Sequence, residues 1–208
     1  MAVDPPDRSQ PVTFAGSVLD RYRHVCAFVN DQDEQDAMLD PFVDQGVVAG
    51  DQLVYLVDPA EVAVPVNRLR HMGHDAAELL TSHRCDIRTW SDTYLRSGGF
   101  DQSDMLSLLD EIFLGQESPR IRMIADMGWA VDRDDDAELI EFEAKANFIH
   151  ARHNHVVICS YNTTRFDGSF IVDILRTHPM VLLGGMVQEN PFFVPPAEFL
   201  EERARRAD

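Results

Sequence analysis

The chain has 208 residues, 45% of them apolar, which is ordinary for a globular protein and allows one large domain with a hydrophobic core. A formal net charge of −18 and a pI near 4.6 argue against binding DNA, RNA or anionic lipid over a broad surface. The three cysteines are widely spaced, and we recognise neither a signal peptide nor an apolar run of membrane-spanning length. We therefore expect a soluble, cytoplasmic protein with free thiols.

The polar, proline-rich start of the chain predicts a flexible arm over residues 1–18, or a segment that covers an edge of the sheet. Residues 19–200 contain no recognisable linker or internal repeat, so we take them as a single domain. A charged tail follows over residues 201–208.

The first strand of that domain is predicted within residues 22–31, an apolar run of strand length closed by a polar turn. A helical pattern from Asp33 to about Gln45 and a second apolar strand at 53–57 complete a parallel strand–helix–strand unit. Ligands in such sheets bind beyond the carboxyl ends of the strands, so the turn at 30–33 is expected to face a pocket. A phosphate-binding turn would carry glycines and a lysine, and this one has neither.

Strands and helices alternate along the rest of the chain. Further strands are predicted at 85–90, 121–125, 156–159 and 180–183, and helices within 61–71, 75–80, 103–113, 137–153 and 169–177. The acidic run at 132–136 is expected to be a solvated loop. We therefore predict an α/β fold with a mainly parallel central sheet flanked by helices.

Polar residues that follow the predicted parallel strands are candidate ligand contacts, since the carboxyl ends of these strands meet at one edge of the sheet. They are Asn30 and Asp31, Asp126 and Trp129, and Tyr161 and Asn162. Asp126 is placed like an acid that holds Mg²⁺ in nucleotide hydrolases. Without a phosphate loop we interpret it as a helix cap or a pocket wall.

Glu143 and Asn147 lie four residues apart on one face of a predicted helix, among apolar neighbours. Burying a carboxylate costs free energy unless it is paired or hydrogen-bonded. Two interpretations stay open: Glu143 faces the pocket, or it belongs to a solvated stripe or to a core ion pair with an arginine.

Three groups of histidine and cysteine residues need a separate test for metal binding. They are His150, His153, His155 and Cys159; His71, His74, His83 and Cys85; and the strand residues His24 and Cys26. Imidazole and thiolate suit Zn²⁺, but no tight ligand pair is evident, and histidines at a helix C-terminus are favoured by the helix dipole. We therefore predict no metal and no cofactor.

His24, Cys26 and Phe28 share one face of the first strand, because side chains alternate along a strand. A single histidine on a strand is most often a core residue, yet a cysteine beside it keeps a pocket-lining role open. We find no Gly-x-Ser-x-Gly elbow, and nothing orients Cys159 towards His178 as a catalytic pair. We therefore predict no catalytic residues and favour a protein that is not an enzyme.

An ordered set of segments carries a resemblance to a known family. The segments are 24–28, 41–55, 94–101, 122–129, 142–147, 158–162, 177–181 and 190–196. In this order they resemble the MEDS family, the methanogen/methylotroph DcmR-type sensory domain, over about residues 20–200. The family is similar to a RecA/KaiC-type fold that has lost its functional phosphate loop, which agrees with the turn at 30–33.

The resemblance implies a sensor for small organic molecules, simple hydrocarbon derivatives, that is coupled to transcription or kinase outputs. The positions that match the family's motif residues are His24, Asp126, Trp129, Glu143, Cys159, Tyr161 and His178. Two departures alter the size or polarity of the implied pocket: Val29 replaces an aromatic residue common in relatives, and Asp126 replaces a common glutamate.

Taken together, these observations predict a sensory domain that binds a small organic ligand and signals in trans to a protein partner in a signalling or transcription-control pathway. The expected ligand contacts are His24, Cys26, Phe28, Asn30, Asp126, Trp129, Glu143, Asn147, Cys159, Tyr161 and His178. No direct contact with nucleic acid or membrane is expected, and a homodimer stays open. The alternatives are a metal- or haem-linked sensor or enzyme that uses the histidine and cysteine residues, and a structural interaction module with a vestigial pocket.

Overall fold

A computed structural model describes residues 11–114, 119–131 and 136–207 of the chain. The strands are β1 (Val12–Phe14), β2 (Ser17–Leu19), β3 (His24–Val29), β4 (Gln52–Val57), β5 (Cys85–Thr89), β6 (Ile121–Asp126), β7 (Val156–Asn162), β8 (Met180–Leu183) and β9 (Met186–Glu189). The α-helices are α1 (Gln32–Ala49), α2 (Ala63–His71), α3 (Ala76–Thr81), α4 (Gln102–Phe113), α5 (Ala137–His150), α6 (Gly168–Thr177) and α7 (Pro196–Ala207). Short 3₁₀ turns lie at Pro59–Glu61, Trp90–Asp92 and Gly128–Ala130.

Within these described residues the central sheet has the strand order β5-β4-β6-β7-β3-β8-β9. Neighbouring strands are parallel except at one end, where β8 and β9 form an antiparallel pair. β3 lies between β7 and β8, and its register places Cys26 opposite Cys159 and Phe28 opposite Tyr161. The predicted α/β fold with a mainly parallel sheet is confirmed.

Each face of the sheet carries its own core, because successive side chains of a strand point to opposite faces. Val25, Ala27 and Val29 of β3 pack with α1, α2 and α3. Cys26 and Phe28 point the other way and pack with α4, α5, α6 and α7. Both faces are therefore covered, as expected for parallel strands that are apolar along their whole length.

Helix α5 is the most enclosed element of the second face. It contacts α4, α6 and α7 as well as the sheet, and its buried residues include Glu143 and His150 among aliphatic and aromatic neighbours. A helix that is buried on most sides normally has apolar residues all round. The polar residues of α5 therefore need partners inside the protein.

Two regions differ from the sequence-based predictions. The predicted arm of residues 1–18 does not extend to residue 18, since β1 and β2 pair as a hairpin that buries Val12, Phe14 and Leu19. Three-residue strands around a tight turn give too short an apolar pattern to recognise, and residues 1–10 lie outside the described part. The other is β9, which was not predicted and pairs with β8 directly after the turn at Gly184 and Gly185.

Helix α1 begins near the predicted residue but extends through Pro41 to Ala49, where Gly50 adopts the left-handed conformation that ends the helix. The acidic loop predicted at 132–136 lies outside the described residues except for Asp136. Among the helices that the structure describes, none is long and apolar enough to cross a membrane.

Candidate functional site

Five polar side chains meet in a buried cluster between the sheet and α5. They are His24 at the start of β3, Cys159 and Tyr161 on β7, Glu143 on α5 and His178 just before β8. None of them is more than 4% exposed. The fold explains the convergence, because β7 and β8 flank β3, and α5 covers this face of the three strands.

Glu143 lies at the centre of this cluster. Its Oε1 accepts a hydrogen bond of 2.8 Å from the Tyr161 hydroxyl, and its Oε2 lies 3.3 Å from His24 Nε2 and 3.6 Å from His178 Nε2. Cys159 Sγ lies 3.5 Å from His24 Nε2. Two imidazoles, one thiol and one carboxylate oxygen thus face a common point.

A second layer of hydrogen bonds orients both imidazoles. Asn147 Nδ2 donates to three backbone carbonyls, among them that of Thr177 at 2.8 Å, which leaves Asn147 Oδ1 as the acceptor 3.2 Å from His24 Nδ1. The Nδ1 atom of His178 lies 2.9 Å from the carbonyl oxygen of Ile174. Both rings therefore carry their hydrogen on Nδ1 and direct the Nε2 lone pair towards Glu143.

Burial dominates the electrostatics of the cluster. It raises the pKa of the Cys159 thiol well above its ordinary value, and the nearby Glu143 carboxylate raises it further. Burial and the neighbouring His24 lower the pKa of His178 to about 3. Burial alone would raise the pKa of Glu143, but His24, His178 and the Tyr161 hydroxyl hold it below its ordinary value.

His150 is a member of this neighbourhood that sequence reasoning assigned elsewhere. Its ring centroid lies 4.4 Å from that of His24, and burial holds its pKa well below the ordinary value. Its position on the inward face of α5, one turn beyond Asn147 on the side of β3, is the signal that could have placed it there.

The residues His150, His153, His155 and Cys159, which the sequence analysis considered as a metal group, do not converge on one point. His155 Nδ1 accepts a hydrogen bond from the Ile121 amide at 2.9 Å, and its Nε2 faces the Phe113 carbonyl at 3.4 Å, so both ring nitrogens are used. Cys159 points into the cluster around Glu143 instead. In the second group considered, His74 Nε2 lies 3.0 Å from Asp44 Oδ1, an ordinary surface contact.

A cavity of about 470 Å³ opens beside the buried cluster. Tyr22, Phe148 and Phe193 form apolar walls together with three prolines, and His24, Asn147 and His150 contribute polar atoms. Arg21 and Arg23 also line it. The cavity lies at the amino end of β3, whereas the sequence predicted a pocket at the carboxyl end.

Of the polar residues predicted at the carboxyl ends of the strands, Tyr161 belongs to the cluster, whereas Asn30, Asp126 and Trp129 do not. Asn30 is exposed and bonds to Glu34 and Thr163, and Asp126 accepts a hydrogen bond from the Gly128 amide on the side of α1 and α2. Asp126 lines a cavity of only about 30 Å³. Trp129 stacks on Tyr94 at 4.6 Å in an aromatic group beside α5.

Cys26 and Phe28 lie on the cluster's face of the sheet but outside its hydrogen-bond network. Cys26 Sγ lies 3.6 Å from the Met180 carbonyl oxygen, and Phe28 packs 6.2 Å from the Tyr161 ring. Of the eleven predicted contacts, the structure therefore brings together His24, Glu143, Asn147, Cys159, Tyr161 and His178. Cys26 and Phe28 lie near the cluster because they share a face of β3 with His24, but neither side chain forms a hydrogen bond within the cluster.

The turn between β3 and α1 occupies the place where a phosphate-binding loop would lie. Glu34 Oε2 accepts hydrogen bonds from the Asn30 amide at 2.7 Å and from Asn30 Nδ2, and Asp31 Oδ1 accepts one from the Glu34 amide at 2.8 Å. The protein's own carboxylates thus hold donors that could otherwise bind an anion at this helix N-terminus. The predicted lack of a functional phosphate loop agrees with this geometry.

The sequence of this chain is similar to that of a known protein family, and its structure is similar to those of known proteins. The profile of the family described as "MEthanogen/methylotroph, DcmR Sensory domain" matches residues 23–179, more than half of the chain. The chain belongs to the MEDS family. All six residues that the structure brings together lie within the matched range. No curated protein matched the chain in sequence.

Two solved structures are similar to this MEDS protein, and the first of them supports a shared fold. The RadB recombinase has a TM-score of 0.50 at 11% identity, over 77% of this chain and 74% of that chain. The flagellar accessory protein FlaH from Methanocaldococcus jannaschii has a TM-score of 0.48 at 11% identity, over 80% of this chain and 76% of that chain. At such identity the likeness concerns the fold alone, and the fold is RecA/KaiC-like, as predicted.

Proposed function

We propose that this MEDS protein binds a small organic molecule in the cavity beside His24 and reports its presence to a protein partner. Membership of a sensory domain family supports a sensory role. The observation that carries the ligand proposal is the cavity, whose volume of about 470 Å³ falls within the usual range of small-molecule pockets.

The lining of this cavity suits a ligand with an apolar body and a polar end. Tyr22 and Phe193 contact each other edge to face at 5.9 Å and offer an aromatic surface. His150 lines the same cavity, and its buried Nδ1 has no hydrogen-bond partner in the structure, so a hydrogen bond to it would orient the ligand. A simple hydrocarbon derivative with one hydrogen-bonding group matches this combination.

A route from the cavity to the protein surface is offered by the segment that leads into α7. Phe193 and Pro195 of this segment line the cavity, and the Val194 amide bonds to the Arg176 carbonyl of α6 at 2.9 Å. Helix α7 in turn pairs with α6 through Arg176 and Glu202 at 2.5 Å. A ligand that displaces Phe193 would thus move α7 relative to α6 and change a surface available to a partner.

The test is a thermal-unfolding screen with short-chain alcohols, organic halides, carboxylic acids and amines. A ligand present at about 100 times its Kd is expected to raise the Tm by roughly 5–10 °C for a chain of this size. Ala151→Trp should abolish the shift, since Ala151 lines the cavity and the larger side chain would fill it. Ala77→Trp is the matched control, because Ala77 is an exposed helical alanine outside this cavity.

The vestigial-pocket alternative makes a different prediction in the same screen. No compound class should then raise the Tm of the wild-type chain, or Ala151→Trp should respond as the wild type does. Either result would contradict the ligand proposal. A shift lost only in Ala151→Trp would support it.

A further inference from the structure

We propose that His24, Glu143, Cys159 and His178 bind one divalent transition-metal ion of the zinc type through His24 Nε2, Glu143 Oε2, Cys159 Sγ and His178 Nε2. Each of the four residues offers one ligand atom, these atoms lie within 4.8 Å of one another, and all four side chains are buried. The proposal reverses our sequence-based expectation of no metal. It goes beyond the sensory function and does not depend on any ligand in the cavity.

The first argument is the direction of the lone pairs. The hydrogen bonds of Asn147 and Ile174 place the ring hydrogens of His24 and His178 on Nδ1, so both Nε2 atoms are acceptors. Glu143 Oε2 and His178 Nε2 receive no hydrogen bond, although both are buried. The Cys159 thiol can donate to His24 Nε2, but Glu143 Oε2 and His178 Nε2 face each other as acceptors 3.6 Å apart. Two acceptors without a donor between them repel each other, and a cation at their common point removes that repulsion.

The second argument is size. Metal–ligand bonds of about 2.0–2.3 Å in a tetrahedral zinc site place neighbouring ligand atoms roughly 3.3–3.8 Å apart. The corresponding distances here are 3.3 Å from His24 Nε2 to Glu143 Oε2, 3.5 Å from His24 Nε2 to Cys159 Sγ and 3.6 Å from His178 Nε2 to Glu143 Oε2. Three of the six pairs of ligand atoms thus already have the spacing of a tetrahedral site, and the remaining pairs, within 4.8 Å, would close by a small movement of the side chains.

The third argument is charge. A buried carboxylate in an apolar core is costly without a counter-charge, and no arginine or lysine contacts Glu143 among its described hydrogen bonds and ion pairs. A divalent ion with the Glu143 carboxylate and a Cys159 thiolate gives a neutral centre with two neutral imidazoles. The donor set of two nitrogens, one sulfur and one oxygen suits Zn²⁺ and excludes Mg²⁺ and Ca²⁺, which prefer oxygen ligands.

Hydrogen bonds with neighbouring groups hold three of the four proposed ligands in place, as is usual around a bound metal ion. The Asn147 amide oxygen and the Ile174 carbonyl hold the two imidazoles, and the Tyr161 hydroxyl holds the second oxygen of Glu143. Zinc-bound histidines usually donate their other ring hydrogen to such oxygen atoms, and ligating carboxylates are themselves hydrogen-bonded. Asn147 is therefore a positioning residue for this site.

The test begins with the metal content of the full chain, purified without chelators and with its tag removed. One zinc ion per chain is expected, or one Co²⁺ ion after exchange of the purified protein with cobalt. Bound Co²⁺ should show sulfur-to-cobalt charge-transfer absorption and the intense visible bands of four-coordinate cobalt. Added Zn²⁺ should abolish both.

Matched cysteine variants then locate the site. Cys159→Ser should lose the charge-transfer absorption, whereas Cys26→Ser should keep it, since Cys26 is the buried cysteine directly opposite Cys159 on β3 but belongs to no ligand set. His155→Gln is the histidine control, because both its ring nitrogens are engaged elsewhere. Asn147→Ala should weaken metal binding by about 10–100-fold and leave the charge-transfer absorption in place at saturating Co²⁺.

Two results would overturn the proposal. One is a folded wild-type chain that holds only trace metal after incubation with equimolar Zn²⁺ or Co²⁺. The other is cobalt charge-transfer absorption that survives in Cys159→Ser or disappears in Cys26→Ser. If Cys159→Ser does not fold, the wild-type metal content and cobalt spectrum still decide the question. Neither result bears on the small-molecule screen, so the two proposals fail separately.

Discussion

The Tyr161 hydroxyl donates a hydrogen bond of 2.8 Å to Glu143 Oε1 in a site where neither residue is more than 1% exposed. Removing that donor leaves a buried carboxylate oxygen without a partner, which costs more than the net contribution of an ordinary hydrogen bond. We expect Tyr161→Phe to lower the free energy of unfolding by about 1–3 kcal/mol, as measured by urea denaturation.

Tyr94→Phe is the matched control for this change. Tyr94 is also buried, but its hydroxyl faces the Met127 sulfur at 3.5 Å, a weak acceptor. Its loss should cost less than about 1 kcal/mol. Equal losses in the two variants would show that the hydroxyl of Tyr161 has no special relation to Glu143.

The buried ion pair of Arg122 and Asp51 provides a second prediction. Arg122 Nε lies 2.7 Å from Asp51 Oδ2, both side chains are at most 5% exposed, and Arg122 also donates to the Phe42 carbonyl. Asp51→Asn leaves the guanidinium buried without its counter-charge, and we expect a loss of about 3–5 kcal/mol. The exposed pair of Arg23 and Asp20 is the control, and Asp20→Asn should cost no more than about 1 kcal/mol. Similar unfolding free energies for the two variants would contradict the prediction.

Asp126 predicts a dependence of stability on pH. Burial raises its pKa to about 6, although the Gly128 amide opposes the shift. The pKa of Asp126 is higher in the folded than in the unfolded protein, so the folded state favours the protonated acid. The contribution of Asp126 to the free energy of unfolding is therefore fully present below its ordinary pKa and is lost as the pH rises through about 6. Asp126→Asn should therefore raise the free energy of unfolding by about 1–2 kcal/mol at pH 7.5 and change it little at pH 4.

Asp104 is the control with the opposite sign. Its bonds to Arg96 and Ser97 lower its pKa to about 2, so its contribution is present above its ordinary pKa and is lost only as the pH falls towards 2. Asp104→Asn should accordingly reduce stability at pH 7.5. A stability difference for Asp126→Asn that does not vary between pH 4 and pH 7.5 would refute the assignment.

Nucleotide binding is expected to be absent. The Asn30 and Glu34 amides at the start of α1 already donate to carboxylates of the protein, and the turn has no lysine to hold a phosphate. ATP with Mg²⁺ should neither change the Tm nor give heat in calorimetric titration, both in the wild type and in Glu34→Ala. Binding at micromolar strength would contradict the loss of the phosphate loop.

The central strands and the long helices could be predicted from sequence because their apolar patterns are long. The run around Cys26 and the helical pattern around Met105 each identify one element by periodicity alone. The pair of three-residue strands around Ala15 and the short strand at Val187 escaped prediction, since so few residues carry no recognisable period. Their existence depends on contacts between distant parts of the chain.

The buried cluster was predictable only in part, for a related reason. Family resemblance pointed to Glu143 and His178 one by one, and the helical spacing linked Glu143 to Asn147. Their convergence on His24 depends on the strand order, which places β3 between β7 and β8. Sequence proximity suggested His155 as a neighbour of Cys159, but His155 lies just before β7, and its ring contacts the Ile121 amide and the Phe113 carbonyl instead.

The hairpin of β1 and β2 has a practical bearing on how fragments of this protein should be cut. The family match starts at residue 23 and stops at residue 179, yet Phe14 packs 5.1 Å from Phe42, and the Val187 amide bonds to the Ala15 carbonyl. An expression fragment with those limits would lack β8, β9, α7 and the hairpin. It would expose Phe42 of α1, which Phe14 covers in the full chain. Such a fragment should aggregate, so boundaries drawn from a family alignment are too narrow for this chain.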